Sequence, residues 1–263
     1  IVRAYDWSLT TDGDGDGLMD NSKAGLGALE FGSLTDIQTD IYLGAVWARA
    51  NVALKNLAAV IGDRAVGKKA EAGAARAVKA WKEKFWDDVN GQYSYAFNKD
   101  GRIVPEPTPW SAVGLAWGLG DLERGVDTLA RVNRADLTTD WGVRMLSDQS
   151  PLFEPLNYNY GAAWPFLSGW VAAALFDFGF LPQGYHVLMA NARHTYDNAL
   201  GTIMELFSGY HNAWPQEGVP HQGFSSTGVA LPFVRGLLGL EASVPGRKAA
   251  FRPGFPAGWP AVS

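Results

Sequence analysis

The chain has no cysteine among its 263 residues, which excludes disulfides, thiolate metal sites and a cysteine nucleophile, and leaves redox chemistry silent about the compartment. Charge is sparse as well. The 22 Lys and Arg and 27 Asp and Glu are interspersed and sum to −5, so with no basic stripe neither nucleic acid nor an anionic membrane surface is an expected partner. A complete G-x-x-x-x-G-K-[ST] phosphate loop, an H-E-x-x-H zinc motif and a nucleophilic triad signature are all missing. The chain opens at Ile1 with no signal-type segment. One uncharged stretch, residues 157–176 (NYNYGAAWPFLSGWVAAALF), has the length a bilayer needs. Its Pro165, its small residues, its two asparagines and Asp177 just beyond it predict a helix buried in a soluble core instead.

What the chain has in quantity is aromatic surface: 11 Trp and 9 Tyr, suited both to a dense core and to gripping sugars. Hydrophobic periodicity predicts helices in pairs. Residues 36–61 are apolar on most faces, as in an enclosed helix, whereas 67–86 place Ala74, Val78, Trp81 and Phe85 on one face and Lys and Glu elsewhere. The alternation recurs from PWSAVGLAWGL to GDLERGVDTLARVN, and from GAAWPFLSGWVAAALFDFG to GYHVLMANARHTYDNAL. Residues 91–104 read as a hairpin on a loop. Apolar helices covered by amphipathic ones make an all-α fold of the α/α toroid type. About seven helices fit, fewer than a six-hairpin barrel needs. A fragment is therefore expected, with a missing N-terminal portion or a partner chain completing the ring. Residues 1–244 would form the C-terminal part of the barrel, and 245–263, rich in proline, the start of a β segment.

The densest acidic motif precedes the first long helix. Asp12, Asp14, Asp16 and Asp20 fall at positions 1, 3, 5 and 9 of a D-x-D-x-D-G-x-x-D pattern, with Gly17 where a calcium loop turns sharply. Lys23 stands where an EF-hand puts its bidentate Glu, so the cage is incomplete. Asp12, Asp14 and Asp16 are candidate ligands of a structural Ca2+. The alternative is a solvated acidic turn.

The same loop, running through M-D-N-S and A-L-E-F-G into an aromatic helix, resembles the six-hairpin (α/α)6-barrel glycosidases. DWGVRMLSDQSPLFEPLNYNYGAAWPF at 140–166 resembles the W-G-x-R-x-L-S … Y-x-x-G-x-x-W-P segment of glycogen-debranching amylo-1,6-glucosidases and their bacterial relatives. MELFSGYHNAWPQEGVPHQGFSSTG at 204–228 is similar to their P-E-L-F element, with Met204 in place of the proline. The resemblance implies an α-glucoside hydrolase, debranching-like, exo-acting and inverting, with Glu205 as general base. For the general acid it leaves two placements: Glu30, by likeness to glucoamylase-like enzymes, and Asp20, by likeness to the M-D-N-S acid of processing-glucosidase-like ones. Glu217 competes with Glu205 but has no family counterpart. Trp141, Arg144, Tyr160 and Trp164 resemble the sugar-facing residues, and His221 and Gln222 the element that closes over the pocket. His186 and His194 are expected to be ordinary residues of an outer helix.

Two carboxyls suit this chemistry, one protonated at the leaving oxygen and one ionised to activate water or attack carbon. Leu29, Phe31 and the acidic loop would raise the pKa of Glu30 through burial and like charge. No cofactor is required. Other toroid glycosidases, α-rhamnosidase-like or retaining β-glucosidase-like, and a non-catalytic carbohydrate-binding or scaffold chain, are the alternatives.

Overall fold

The computed structural model describes residues 1–197, 199–213, 218–243 and 246–259. Two units divide the chain, Ile1–Glu106 with Trp117–Gly125, and Pro107–Ala116 with Val126–Ser263. The barrel boundary expected at 244–245 and the last residues, 260–263, lie outside the described residues.

In the first unit α1 (Val2–Leu9) and the one-turn α2 (Asn21–Ala24) precede two long helices, α3 (Ile41–Ile61) and α4 (Arg64–Lys84). Each long helix starts on an aspartate. Asp40 accepts a hydrogen bond from Leu43 N at 2.7 Å and Asp63 one from Val66 N at 3.0 Å, satisfying amides that no helical carbonyl can reach. This cap is why α3 begins at Ile41 and not at 36: Thr39 and Asp40 form strand β1 ahead of it. Gly62, at φ 77°, ends α3 in the left-handed conformation and turns the chain back into α4. The helices pack through small residues, Gly44, Ala45 and Ala48 on one and Ala70, Gly73, Ala74 and Ala77 on the other. Between them Tyr5 Oη donates to Asn51 Oδ1 at 2.7 Å. The face expected of α4 is shifted: Ala74 and Trp81 are buried, but Val78 is only half-buried. The last turns of α3 expose Leu57, Val60 and Ile61.

The hairpin expected over 91–104 is present and is joined by a second that begins ahead of it, at residue 86. β2 (Trp86–Asp87) pairs with β3 (Gln92–Tyr93), and β4 (Ala96–Phe97) pairs with both β5 (Ile103–Val104) and β1.

In the second unit α5 (Ser111–Ala116) leads through α6 (Leu122–Val132), which runs through both units, to β6 (Thr138–Thr139) and β7 (Gly142–Val143). The apolar stretch at 165–177 is α7 (Pro165–Asp177), packed on α5, α8 (Leu181–Arg193) and α9 (Gly223–Pro232). It is buried on nearly every side, and among the described residues no helix is long and apolar enough to cross a membrane. Pro165 at its first turn lacks only an amide that would be unpaired anyway. Asn191 of α8, fully buried, donates through Nδ2 to Pro165 O at 2.8 Å and Gly228 O at 3.2 Å and so joins three helices. A π-helical turn (Phe233–Leu237) follows α9, then the β8 (Leu240–Ser243) and β9 (Lys248–Phe251) hairpin.

α7 and α9 touch backbone to backbone: a Cβ on Gly169 would lie 2.3 Å from Gly228 Cα. Gly169→Ala should therefore destabilise by about 1–3 kcal/mol or more, reversing the usual gain from alanine in a helix. Gly223→Ala, where a Cβ meets open space, should not. Chemical denaturation of both variants checks the contrast; equal stability would show that the two helices can move apart freely.

Candidate active site

The acidic loop of the first unit is wound by its own side chains. Asp16 N donates to Asp14 Oδ1, Leu18 N to Asp16 Oδ1 and Gly17 N to Asp12 Oδ2, at 3.2, 2.7 and 3.0 Å. These turns bring carboxylate oxygens of Asp12, Asp14 and Asp16 within 4.8 Å of one another. Asp12 Oδ1 is buried there without a hydrogen-bond partner, an acceptor suited to a cation. On the far side Lys84 Nζ meets Asp16 Oδ2 at 2.5 Å.

Asp20, the fourth aspartate of the spacing, turns away from this cluster. It is only 4% exposed. Gly13 N donates to its Oδ2 at 3.1 Å and Gln38 Nε2 to its Oδ1 at 2.7 Å, while Lys23 Nζ lies 3.8 Å from Oδ2. Burial pushes its carboxyl above the ordinary aspartate range, helped by the charges of Asp14 and Asp16 and opposed by the Gly13 hydrogen bond and Lys23. Gln38 also lines an open cleft with Asp14, Lys84, Trp86 and Phe97. Asp40 is buried too, held by Leu43 N, Ala28 N and Asn21 Nδ2; burial raises its carboxyl as well, but its oxygens are occupied as a helix cap. Glu30 has neither feature. It sits exposed on a bend where Leu29 turns inward and Phe31 outward, so the burial expected to tune it is not there.

In the second unit two backbone bridges set β7, residue 163 and residue 207 side by side, Arg144 with Ala163 and Ala163 with Phe207. Ala163 and Phe207 exchange both hydrogen bonds at 2.8 Å. This short ladder carries or adjoins Trp141, Arg144, Trp164 and Glu205. Glu205, 7% exposed, accepts from Tyr158 Oη on Oε1 at 2.8 Å, from Val219 N on Oε2 at 3.1 Å and from Gln222 Nε2 at 3.4 Å. Tyr158 stands edge-on to Trp164, with ring centroids 4.5 Å apart, and Trp164 Nε1 donates to Tyr158 O. Trp164 in turn stacks parallel to Phe224. Trp141, partly buried, packs on Ala163, Met204 and Phe207 and donates from Nε1 to Ser208 O at 2.9 Å.

Arg144 is directed inward. Its guanidinium donates to Gly209 O and Ala135 O at 2.6 and 2.7 Å and lies 3.4 Å from Asp148, which makes it a brace of the wall. Tyr160 is buried beneath the same loop, and His221 is exposed beside Gln222. Glu217 lies outside the described residues. His194 departs from expectation: it is fully buried, because the outer helix ends in a 3-10 turn that tucks its ring under the wall. The hydroxyl of Tyr158 is the partner that sequence reasoning missed, 47 residues from Glu205 and marked only by a tyrosine-rich loop.

Residues 14–225 match the mannosylglycerate hydrolase MGH1-like glycoside hydrolase domain family. Among solved structures, the GH63 mannosylglycerate hydrolase of Thermus thermophilus in complex with glucose is similar with a TM-score of 0.58 and 23% identity, over 74% of this chain and 48% of that one. Its complex with Tris and D-glycerate gives 0.59 and 21%, over 74% and 45%. A sialidase structure is similar over 98% of this chain and 25% of its own, with a TM-score of 0.76 and 13% identity. At such identities the likeness is one of fold, of the α/α toroid type. The chain spans about half the length of the mannosylglycerate hydrolase structures. No curated protein matches it significantly.

The raised pKa of Asp20 has a stability consequence of definite sign. Below the unfolded value of about 4 the carboxyl is neutral in both states; as pH rises through the higher folded value, ionisation is easier in the unfolded chain and stability is lost. Thermal unfolding of Asp20→Asn against the parent should shift in favour of the variant between about pH 4 and pH 7. A difference independent of pH would contradict the burial argument.

Proposed function

Because the chain belongs to the mannosylglycerate hydrolase MGH1-like glycoside hydrolase domain family, we propose that it hydrolyses an O-glycosidic bond, with Asp20 as general acid and Glu205 as general base. The observation that carries this reading is the contrast between the two carboxyls. Burial and neighbouring aspartates favour the protonated form of Asp20, the form an acid needs at the leaving oxygen, whereas Glu205 is surrounded by donors that only accepting oxygens satisfy. Exposed Glu30 is the weaker of the two candidates for the acid.

The substrate class in this reading is an α-glucoside cleaved from its end, with inversion. Trp141, partly buried, offers an apolar face to the C–H face of a sugar, Trp164, buried against Phe224 and Tyr158, backs the wall, and Gln222 offers an amide to the sugar's hydroxyls. Tyr160 and Arg144 hold the wall from behind, and His221 stands at its rim. Inversion needs a base that takes a proton from water as the water oxygen bonds to the anomeric carbon, the role the resemblance gives Glu205, and an acid that gives its proton to the departing oxygen, the role it gives Asp20. Further polypeptide, from a longer chain or a partner, would cover the exposed end of α3.

The acidic loop would hold Ca2+ through Asp12, Asp14 and Asp16, stiffening the segment that leads into Asp20. The unpartnered Asp12 oxygen supports this reading. Calcium should raise the melting temperature over chelator, and Asp12→Asn should abolish the difference, since an ion that binds only the folded state stabilises it. Equal melting in both conditions would leave a solvated acidic turn.

The activity is tested on aryl α- and β-glycosides, maltooligosaccharides and mannosylglycerate, with the product anomer followed by NMR. An α-glucoside should release the β-anomer first. Asp20→Asn and Glu205→Gln should each lower kcat at least about a hundredfold on a substrate with a poor leaving group. Loss in Glu30→Gln with Asp20→Asn fully active would transfer the acid to Glu30. An α-anomeric first product would replace inversion by retention.

A further inference from the structure

His194 has no part in the proton transfers above, yet it is 1% exposed and both its ring nitrogens meet oxygen. Nε2 lies 2.7 Å from the carbonyl oxygen of Trp141, and Nδ1 lies 2.7 Å from Oδ2 of Asp197. A carbonyl accepts only, and so does a carboxylate. Serving both therefore requires a proton on each nitrogen, which makes the ring an imidazolium. The ring also lies flat on Phe207, with centroids 3.8 Å apart and planes 19° apart, a contact that favours a charged ring. Asp140 of the β6–β7 turn is exposed and lies 3.8 Å from His186, and Arg193 directly precedes His194 in the chain.

The two groups that His194 joins are the two parts of the sugar-facing wall. Trp141 is held at its carbonyl by His194 and at its indole by Ser208 O. Phe207, beneath the ring, is two residues from Glu205 and locked to Ala163. We propose that His194, kept as an imidazolium by Asp197, is a positioning residue that fixes the Trp141 platform against the segment carrying Glu205. This rests on the reading of Glu205 as the base and of Trp141 as the sugar platform. A neutral ring would leave a lone pair against one of the two oxygens and release one side of the wall.

The experiment is NMR on the 15N-labelled chain at neutral pH. Long-range nitrogen–proton spectra should show two protonated nitrogens for His194, assigned as the signal absent from His194→Gln; one protonated and one bare nitrogen overturns the proposal. The indole N–H of Trp141, assigned with Trp141→Phe, should exchange at least about tenfold faster in His194→Gln. The indole N–H of Trp164, bonded to Tyr158 O in the same unit, should keep its rate. Equal acceleration at both indoles, or none at Trp141, refutes positioning. If His194→Gln does not fold, Asp197→Ala, altered on the outer side of the ring, carries the exchange measurement with the same outcomes. On an aryl glycoside cleaved by the parent, His194→Gln should raise KM about tenfold with a smaller fall in kcat; an unchanged kcat/KM overturns the proposal. Full turnover in Glu205→Gln would remove the base reading alone, since the ring and indole measurements do not depend on it.

Discussion

Two hydrogen bonds between Ala163 and Phe207 are the constraint on which the second unit's wall depends. They are a full exchange between two residues far apart in sequence, and Trp164 and Glu205 hang within two residues of them. Trp164 follows Ala163, Glu205 precedes Phe207 by two, and Arg144 and Trp141 reach the same ladder from β7. Successive residues of an extended segment face opposite sides, so pairing at 163 and 207 dictates which residues turn to the core and which do not. A slip by one residue would turn Glu205 away from Tyr158 and Phe207 away from His194.

The first unit solves a different problem, that of burying carboxyls. Asp40 and Asp20 are both desolvated, and both are pushed towards the neutral form, but their surroundings differ in kind. Asp40 receives three donors from fixed positions, two of them backbone amides, which suits a group that keeps a helix start closed. Asp20 receives one backbone amide and one flexible glutamine, and Gln38 itself borders open space. A carboxyl whose partners can give way is able to exchange a proton; one enclosed by amides is not.

Much of this was legible in the sequence, and the boundary is physical. Hydrophobic patterning pointed to an enclosed helix within 157–176 and to paired helices over 36–61 and 67–86, which the structure places at 165–177, 41–61 and 64–84, because burial of an apolar face is written in the residue pattern while the exact ends are set by caps. The spacing of Asp12, Asp14 and Asp16 likewise foretold their convergence, since Asx turns act over two or three residues. Exposure of Glu30 was not legible: a residue flanked by Leu and Phe lies inward or outward according to the bend it occupies, and that bend follows an anchor ten to twelve residues away, the hydrogen bond from Ala28 N to Asp40. Nor was the hydroxyl of Tyr158 on Glu205, because hydrogen bonds across 47 residues leave no period.

The two buried cations of the wall show why such partners matter. Burial disfavours the charge of Arg144, which Asp148 and Asp136 partly restore, and its donors go to the carbonyls of Gly209 and Ala135. Those carbonyls belong to irregular backbone that no strand or helix satisfies. Left unmet inside the protein, each would cost about 1–3 kcal/mol. A guanidinium, with five donors in a fixed fork, meets several at once, and an imidazolium meets two in opposite directions. Where the wall is built of loops, side chains that donate in more than one direction therefore add to what the backbone pairing of Ala163 and Phe207 holds, as Arg144 does behind residue 209 and His194 does behind residue 141.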